Sequence, residues 1–172
     1  SISSECPMKR IKYLGLLAGI AFCASALADD DHSRSQAQFI NNPIYKQECA
    51  ACHTAYPPGM LPAASWQRIM GGLDKHYGSD ASLEPETVAT LTRYLTQHAG
   101  TYRRVRNAPP EDRITKSDWF IRKHDEIPPS AWRHVKIKSA ANCAACHTTA
   151  DSGDYDEDNV RMPPGVRYDD HR

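Results

Sequence analysis

Apart from one stretch near its beginning, this 172-residue chain has no long apolar run and no excess of charge of either sign. Each absence excludes something. Its 21 lysines and arginines are balanced by 21 aspartates and glutamates, so it has no basic field of the kind that grips a nucleic-acid backbone. No segment alternates apolar and polar residues with β-branched enrichment, which leaves strands at most incidental. Twelve prolines and a polar composition interrupt the aliphatic runs that ordinarily fill a small core.

The one apolar stretch, Tyr13 to Leu27, follows the basic Met8-Lys9-Arg10-Ile11-Lys12 and ends at the small-residue site Ala26-Leu27-Ala28. Basic, then apolar, then small is the order of a secretory signal peptide. Residues 1–28 are therefore expected to be upstream sequence (Ser1 to Pro7) plus a cleaved leader starting at Met8. Residues 29–172 then form one mature domain, located in the periplasm. The run is short for a membrane span, so no stable membrane insertion is expected after cleavage. Cys23 is not a lipid-attachment cysteine, because the bulky Phe22 precedes it. Cleavage removes Cys6, Cys23, three basic residues and one acidic residue, which leaves 18 basic against 20 acidic.

The four cysteines that remain all sit in two identical pentapeptides, Cys49-Ala50-Ala51-Cys52-His53 and Cys143-Ala144-Ala145-Cys146-His147. No thiol is left for a disulfide framework. Cys-x-x-Cys-His is the attachment sequence of c-type haem. Two thiols three apart can each form a thioether with a haem vinyl group, while the next residue, an imidazole, is aimed at the iron from the proximal side. Two copies predict two covalent haems, one on Cys49, Cys52 and His53, the other on Cys143, Cys146 and His147. The porphyrins also supply apolar surface that the side chains lack. A zinc module is disfavoured, because the gap from Cys52 to Cys143 is far longer than a ribbon uses and the two following histidines would be coincidence.

Periodicity predicts a mainly α fold of short helices joined by proline- and glycine-rich loops, with haem-binding halves at roughly 39–100 and 111–165. Asn42 can cap a helix that starts at Pro43 and runs into the first motif, stopped by Tyr56-Pro57-Pro58-Gly59. Ser65 caps the next, with Trp66, Ile69, Met70, Leu73 and His76 or Tyr77 on one face. A third begins at Glu84-Pro85 and carries Val88, Leu91, Leu95 and His98 before Gly100. Thr115 or Ser117 caps a short helix with Trp119, Phe120 and His124, stopped by Pro128-Pro129. Ser139 caps the last, which carries the second motif.

The distal ligands decide what such haems do. A second histidine gives a low-potential electron-transfer haem, a methionine raises the potential, and an open position permits ligand binding or catalysis. His76 lies 23 residues after His53, and His124 lies 23 residues before His147. This mirrored spacing and their apolar faces nominate His76 for the first iron and His124 for the second. His98 and His134 are alternatives for either. Met162, in Met162-Pro163-Pro164-Gly165, resembles an axial methionine loop but follows His147 by only fifteen residues, short for reaching the opposite face of the same haem. Met60 and Met70 read as packing groups. Trp66, Trp119 and Trp132 read as residues that pack on porphyrin edges or plug the core, and His32 and His171, in polar segments, as unligated.

Four stretches carry a resemblance: Leu61 to Met70 (LPAASWQRIM), Asp74 to Leu83 (DKHYGSDASL), Trp119 to His124 (WFIRKH) and Ala141 to His147 (ANCAACH). Together they are similar to the bacterial dihaem cytochrome c family over nearly the whole mature chain. The resemblance implies a periplasmic electron carrier with two bis-histidine haems, with His76 and His124 as distal ligands and no catalysis of its own. It also implies partners: a membrane cytochrome b as electron source, and a small oxygen-binding monohaem cytochrome, sphaeroides haem protein. Tyr77 stands where phenylalanine is expected, and the Met162-Pro163-Pro164 end has no counterpart. The competing expectations are a haem enzyme or gas-binding protein with one open iron, and the small dihaem subunit of a periplasmic reductase.

Overall fold

The computed structural model describes residues 42–166. The expected leader, its cleavage before Asp29, and His32 and His171 lie outside the described residues. Within them the elements are helices and 3-10 turns, and the only β pairing is two isolated bridges, His76 with Ser79 and His147 with Val160. The fold is mainly α, as the periodicity implies. Among the described residues no helix is long and apolar enough to cross a membrane.

Helix α1 (Pro43–Cys49) begins as its sequence dictates. Asn42 Oδ1 accepts from the Tyr45 amide at 2.9 Å, and Pro43 fills a first-turn position where no N–H is required. The helix stops at Cys49, so the first motif hangs off its end rather than lying within it. Helix α2 (Ala63–Met70) starts two residues before the expected cap. Pro62, in extended backbone, launches it, and Ser65 is buried inside the helix instead of capping it. Helix α2 also ends early: Gly71 caps it, and the chain continues as a 3-10 turn, Leu73–Lys75. His76 is therefore on a loop and not on the helical stripe that nominated it, because the Gly71-Gly72 pair ends the helix where the apolar spacing alone would continue it.

Helix α3 (Pro85–Gln97) follows expectation, with Glu84 and His98 at its two ends and Leu91 and Leu95 fully buried. It packs on α2. Tyr45, Ala55, Leu61, Trp66, Met70, Leu91 and Leu95 form one buried cluster, in which each leucine contributes about 1.5–3 kcal/mol of hydrophobic stabilisation. The Trp66 indole donates to Pro58 O at 2.7 Å, so this tryptophan plugs the core with its polar atom satisfied. After α3 the chain closes onto its own beginning, as the Gly100 amide donates to Leu61 O at 2.9 Å. A Cβ at residue 100 would overlap Gly59 O and Val105 Cγ2, so the approach requires glycine.

The remainder is built differently. Two 3-10 turns, Pro110–Asp112 and Ile114–Lys116, lead to α4 (Asp118–Lys123), where Ser117 Oγ caps the Phe120 amide at 3.3 Å. Pro128-Pro129 stops one segment as expected but also starts a short helix, α5 (Pro129–Trp132), that the pattern did not announce. The helix expected from Ser139 does not form, and the second motif is a 3-10 turn, Cys143–Ala145. Its polar side chains take up local backbone groups instead: Ser139 Oγ accepts from the Ala141 amide at 3.1 Å, and the Asn142 side chain donates to Ile137 O at 2.9 Å. After a turn at Ala150–Ser152 and another at Glu157–Asn159, the chain returns across the motif, with the Arg161 amide donating to Cys146 O at 2.8 Å.

Candidate haem sites

His53 follows the end of α1, and its Nδ1 lies 2.7 Å from Thr54 O. A carbonyl only accepts, so Nδ1 carries the proton and Nε2 keeps its lone pair for a metal. The Tyr56 ring stacks on one face of His53, with centroids 4.8 Å apart and planes 15° apart. The ring of His76 lies 6.2 Å away, at 22°.

His76 reaches this place through a tight turn. The Ser79 amide donates to His76 O at 3.0 Å, and the two central residues have positive φ, 51° at Tyr77 and 100° at Gly78. Glycine adopts that geometry freely; tyrosine does so at a cost of about 1–3 kcal/mol. Tyr77 is held there from outside the turn. Its hydroxyl donates to the carbonyls of Glu111 and Asp112, both at 3.1 Å, and the Arg113 guanidinium sits 4.1 Å over its ring. Arg68 on α2 completes the clamp with a two-pronged contact to Asp112 at 2.8 and 2.6 Å.

In the second site, His124 is the C-terminal cap of α4. Its Nδ1 donates to Phe120 O at 2.9 Å, and its ring stacks on Phe120 at 4.1 Å and 21°. Trp132 lies against it at 5.8 Å. The ring of His147 is 6.2 Å from His124, at 72°, with Tyr155 on it at 5.4 Å.

The two separations have a direct reading. A metal–imidazole bond of about 2 Å on each side, plus about 1 Å from nitrogen to ring centre, places two imidazole centroids about 6 Å apart across one metal ion. Both pairs have that spacing. Burial pushes the pKa of His76 down, and neighbouring His53 and Arg113 add to it. Burial does the same to His124 against the opposing pull of Phe120 O, and to His147 with His124 adding. Neutral imidazole is the form that binds a metal. Burial also pushes the Cys49 and Cys143 thiols up to about 11.

Several buried donors fit a prosthetic group that carries acceptors. Tyr94 Oη, Trp119 Nε1 and Tyr155 Oη are buried without a protein partner, each costing about 1–3 kcal/mol if left so. The two propionates of a haem bring acceptors of the required kind. Among the described residues no group of three or more His, Cys, Asp or Glu side chains gathers around one point.

His98, His134 and Met162 stand outside both pairs. His98 caps α3, edge-on to Tyr94 at 5.0 Å. His134 Nδ1 accepts from the Lys136 amide at 3.3 Å. Met162 is half-buried, directly after the segment that pairs with Cys146 and His147. The residues that sequence reasoning missed are Asp112, Arg113, Tyr56 and Tyr155. Only the position of Tyr56, three after His53, offered any signal.

Two Cys-x-x-Cys-His segments on a mainly helical fold, each with a second imidazole at metal-spanning distance, define a c-type cytochrome with two haems. The profile of the dihaem cytochrome c family matches residues 45–155, and the chain belongs to that family. It is similar to the X-ray structure of a diheme cytochrome type c from Shewanella baltica, with 40% identity and a TM-score of 0.64 over 74% of this chain and 98% of that one. It is also similar to the crystal structure of DHC purified from Rhodobacter sphaeroides, with 41% identity and a TM-score of 0.58 over 66% of this chain and 96% of that one. A search of curated protein sequences found no match. The cofactors are two c-type haems, and the role is haem-based electron transfer.

Proposed function

We propose that this chain is a periplasmic electron carrier whose two irons are each closed by two histidines. Cys49 and Cys52 hold the first haem, with His53 and His76 as its axial pair. Cys143 and Cys146 hold the second, with His147 and His124. The observation that carries this reading is the 6.2 Å spacing of both imidazole pairs.

The haem supplies a one-electron couple when bound. The protein's part is to hold imidazoles neutral, oriented and on both sides. Thr54 O and Phe120 O set the tautomers of His53 and His124. Two histidines on each iron would leave no place for a substrate, and the protein would then pass electrons without bond chemistry, at low potential. The basic-apolar-small leader supports export, and residues 29–172 then act as one domain with two haem-binding halves. A membrane cytochrome b as donor and a small monohaem cytochrome such as sphaeroides haem protein as acceptor suit a carrier of this kind. Such encounters are small and electrostatic, so turnover with either partner should fall as salt rises.

Spectroscopy of the holoprotein tests the ligand assignment. Both ferric haems should be low-spin. His76→Ala and His124→Ala should each turn one haem high-spin, while His98→Ala and His134→Ala should leave both unchanged. A high-spin ferric haem in the native protein, or stoichiometric carbon monoxide binding, would falsify the closed-site reading and favour the gas-binding or enzymatic alternative.

A further inference from the structure

Tyr56 touches both haem sites at once. Its ring lies flat on His53, the first proximal histidine, at 4.8 Å and 15°. Its hydroxyl donates to Ala141 O at 2.7 Å, a contact between residues 85 apart in the chain. Ala141 stands two residues before Cys143, so this bond ends on the attachment loop of the second haem. The backbone of Tyr56 is held as well, because the buried Tyr45 hydroxyl donates to Tyr56 O at 2.8 Å. Held at both ends, the side chain has little freedom to leave.

The surroundings place Tyr56 at the meeting of the two motifs. The Tyr155 ring lies on His147 at 5.4 Å. Each proximal histidine thus has a tyrosine against it. Among the described residues, the main helix–helix packing of the first core is between α2 and α3.

We infer that Tyr56 is a positioning residue for electron exchange between the two haems. Its ring and its hydroxyl hold the second attachment loop in fixed register with the first proximal ligand. This deepens the carrier reading and rests on it. In the exchange, one electron leaves the reduced iron of one site and reduces the ferric iron of the other; no proton or atom moves, and the phenol remains neutral and closed-shell throughout. Its hydroxyl proton is already donated to Ala141 O, and low-potential haems are far too weak as oxidants to remove an electron from a phenol. The tyrosine works by fixing the path, not by carrying charge.

Three variants of the holoprotein test the inference. Tyr56→Phe keeps the stacked ring and removes the bond to Ala141 O. Tyr56→Leu removes both contacts. Tyr102→Phe is the control, because it removes a tyrosine hydroxyl bond of the same kind, to Gly59 O at 2.8 Å, within the first region. Rapid photoreduction of one haem gives the inter-haem exchange rate, potentiometric titration gives the two midpoint potentials, and absorption gives the spin states. Exchange should slow severalfold in Tyr56→Phe and further in Tyr56→Leu, with both haems still low-spin and Tyr102→Phe unaltered. Unchanged exchange and unchanged midpoint potentials in Tyr56→Phe would overturn the inference, and so would an equal slowing in Tyr102→Phe, which would mark general loosening. Should Tyr56→Leu not fold, Tyr56→Phe decides alone. High-spin haem in the native protein would instead sink the carrier reading, and the spin measurement separates that failure from this one.

Discussion

The two histidine pairs share one spacing and almost nothing else. His53 and His76 stand beside a packed cluster drawn from α1, α2 and α3, and their rings lie within 22° of parallel. His124 and His147 stand among short turns, with Phe120, Trp132 and Tyr155 as their neighbours, and their rings are crossed at 72°. One distal histidine is presented by a tight turn with positive φ, the other by the C-terminal cap of a six-residue helix. The difference teaches that quite unlike scaffolds can bring two imidazoles to the same separation. It also divides the molecule into a region with a protein core and a region whose centre is the cofactor.

Withholding haem breaks this comparison most severely. Among the described residues, the buried apolar side chains of the second region are the dispersed Phe120, Ala131, Ile137 and Ala150, too little for a stable unit without the cofactor. Hydrogen exchange of the haem-free chain should show free exchange through α4, α5 and the second motif, with residual protection around Leu91 and Leu95. Equal protection in both regions would erase the distinction.

Next in size is the first core itself. Leu91→Ala in the holoprotein should lower stability by about 2–5 kcal/mol, as for a fully enclosed leucine. Chemical denaturation followed at each haem's spectrum should show the first site failing before the second.

A smaller effect comes from pH. The Arg68 hydrogen bond holds the Asp112 carboxyl below the ordinary carboxylate value, with burial opposing. A depressed folded pKa means that this stabilisation is present above the ordinary value of about 3.9 and is lost as pH falls through the depressed one. Acid should therefore loosen the Tyr77 clamp, and so His76, while leaving His124 untouched. Because Arg68 is solvated, the effect should be slight. Asp112→Asn should flatten the acid response of the first haem, as read from its low-spin absorption; an unchanged response would separate the clamp from the ligand.

The last prediction costs no stability at all. Near-parallel and crossed imidazoles split the orbitals of a ferric iron differently, so the frozen holoprotein should give two distinct low-spin resonance signals, the more anisotropic one from the second pair. His124→Ala should abolish that signal and spare the other.

Much of the fold was legible in the sequence where its signals are local. Asn42 and Ser117 cap the helices they were expected to cap, and Leu91 and Leu95 lie on the buried face their spacing implies. The failures are local conflicts that went the other way. The stripe from Trp66 toward His76 reads as one helix until Gly71-Gly72 is given its full weight, and the motif after Ser139 reads as a helix until Ser139 and Asn142 are seen to occupy its backbone groups. His76 was nominated on a helical face that does not exist, yet it arrives beside His53, because the turn at Tyr77-Gly78 returns the chain there. The clamp from Asp112 and Arg113, and the reach of Tyr56 to Ala141, leave no mark in the sequence around the histidines they serve.

The amino-acid sequence alone indicated how many haems this protein takes and which thiols are proposed to hold them, because a pair of thiols and the next imidazole act within one turn of chain and need nothing from afar. Which further imidazole faces each of them, at what angle and held by what, was decided only in the tertiary structure. Those quantities are distances between residues tens of positions apart, and only the packing of the turns and helices between them brings them to 6.2 Å.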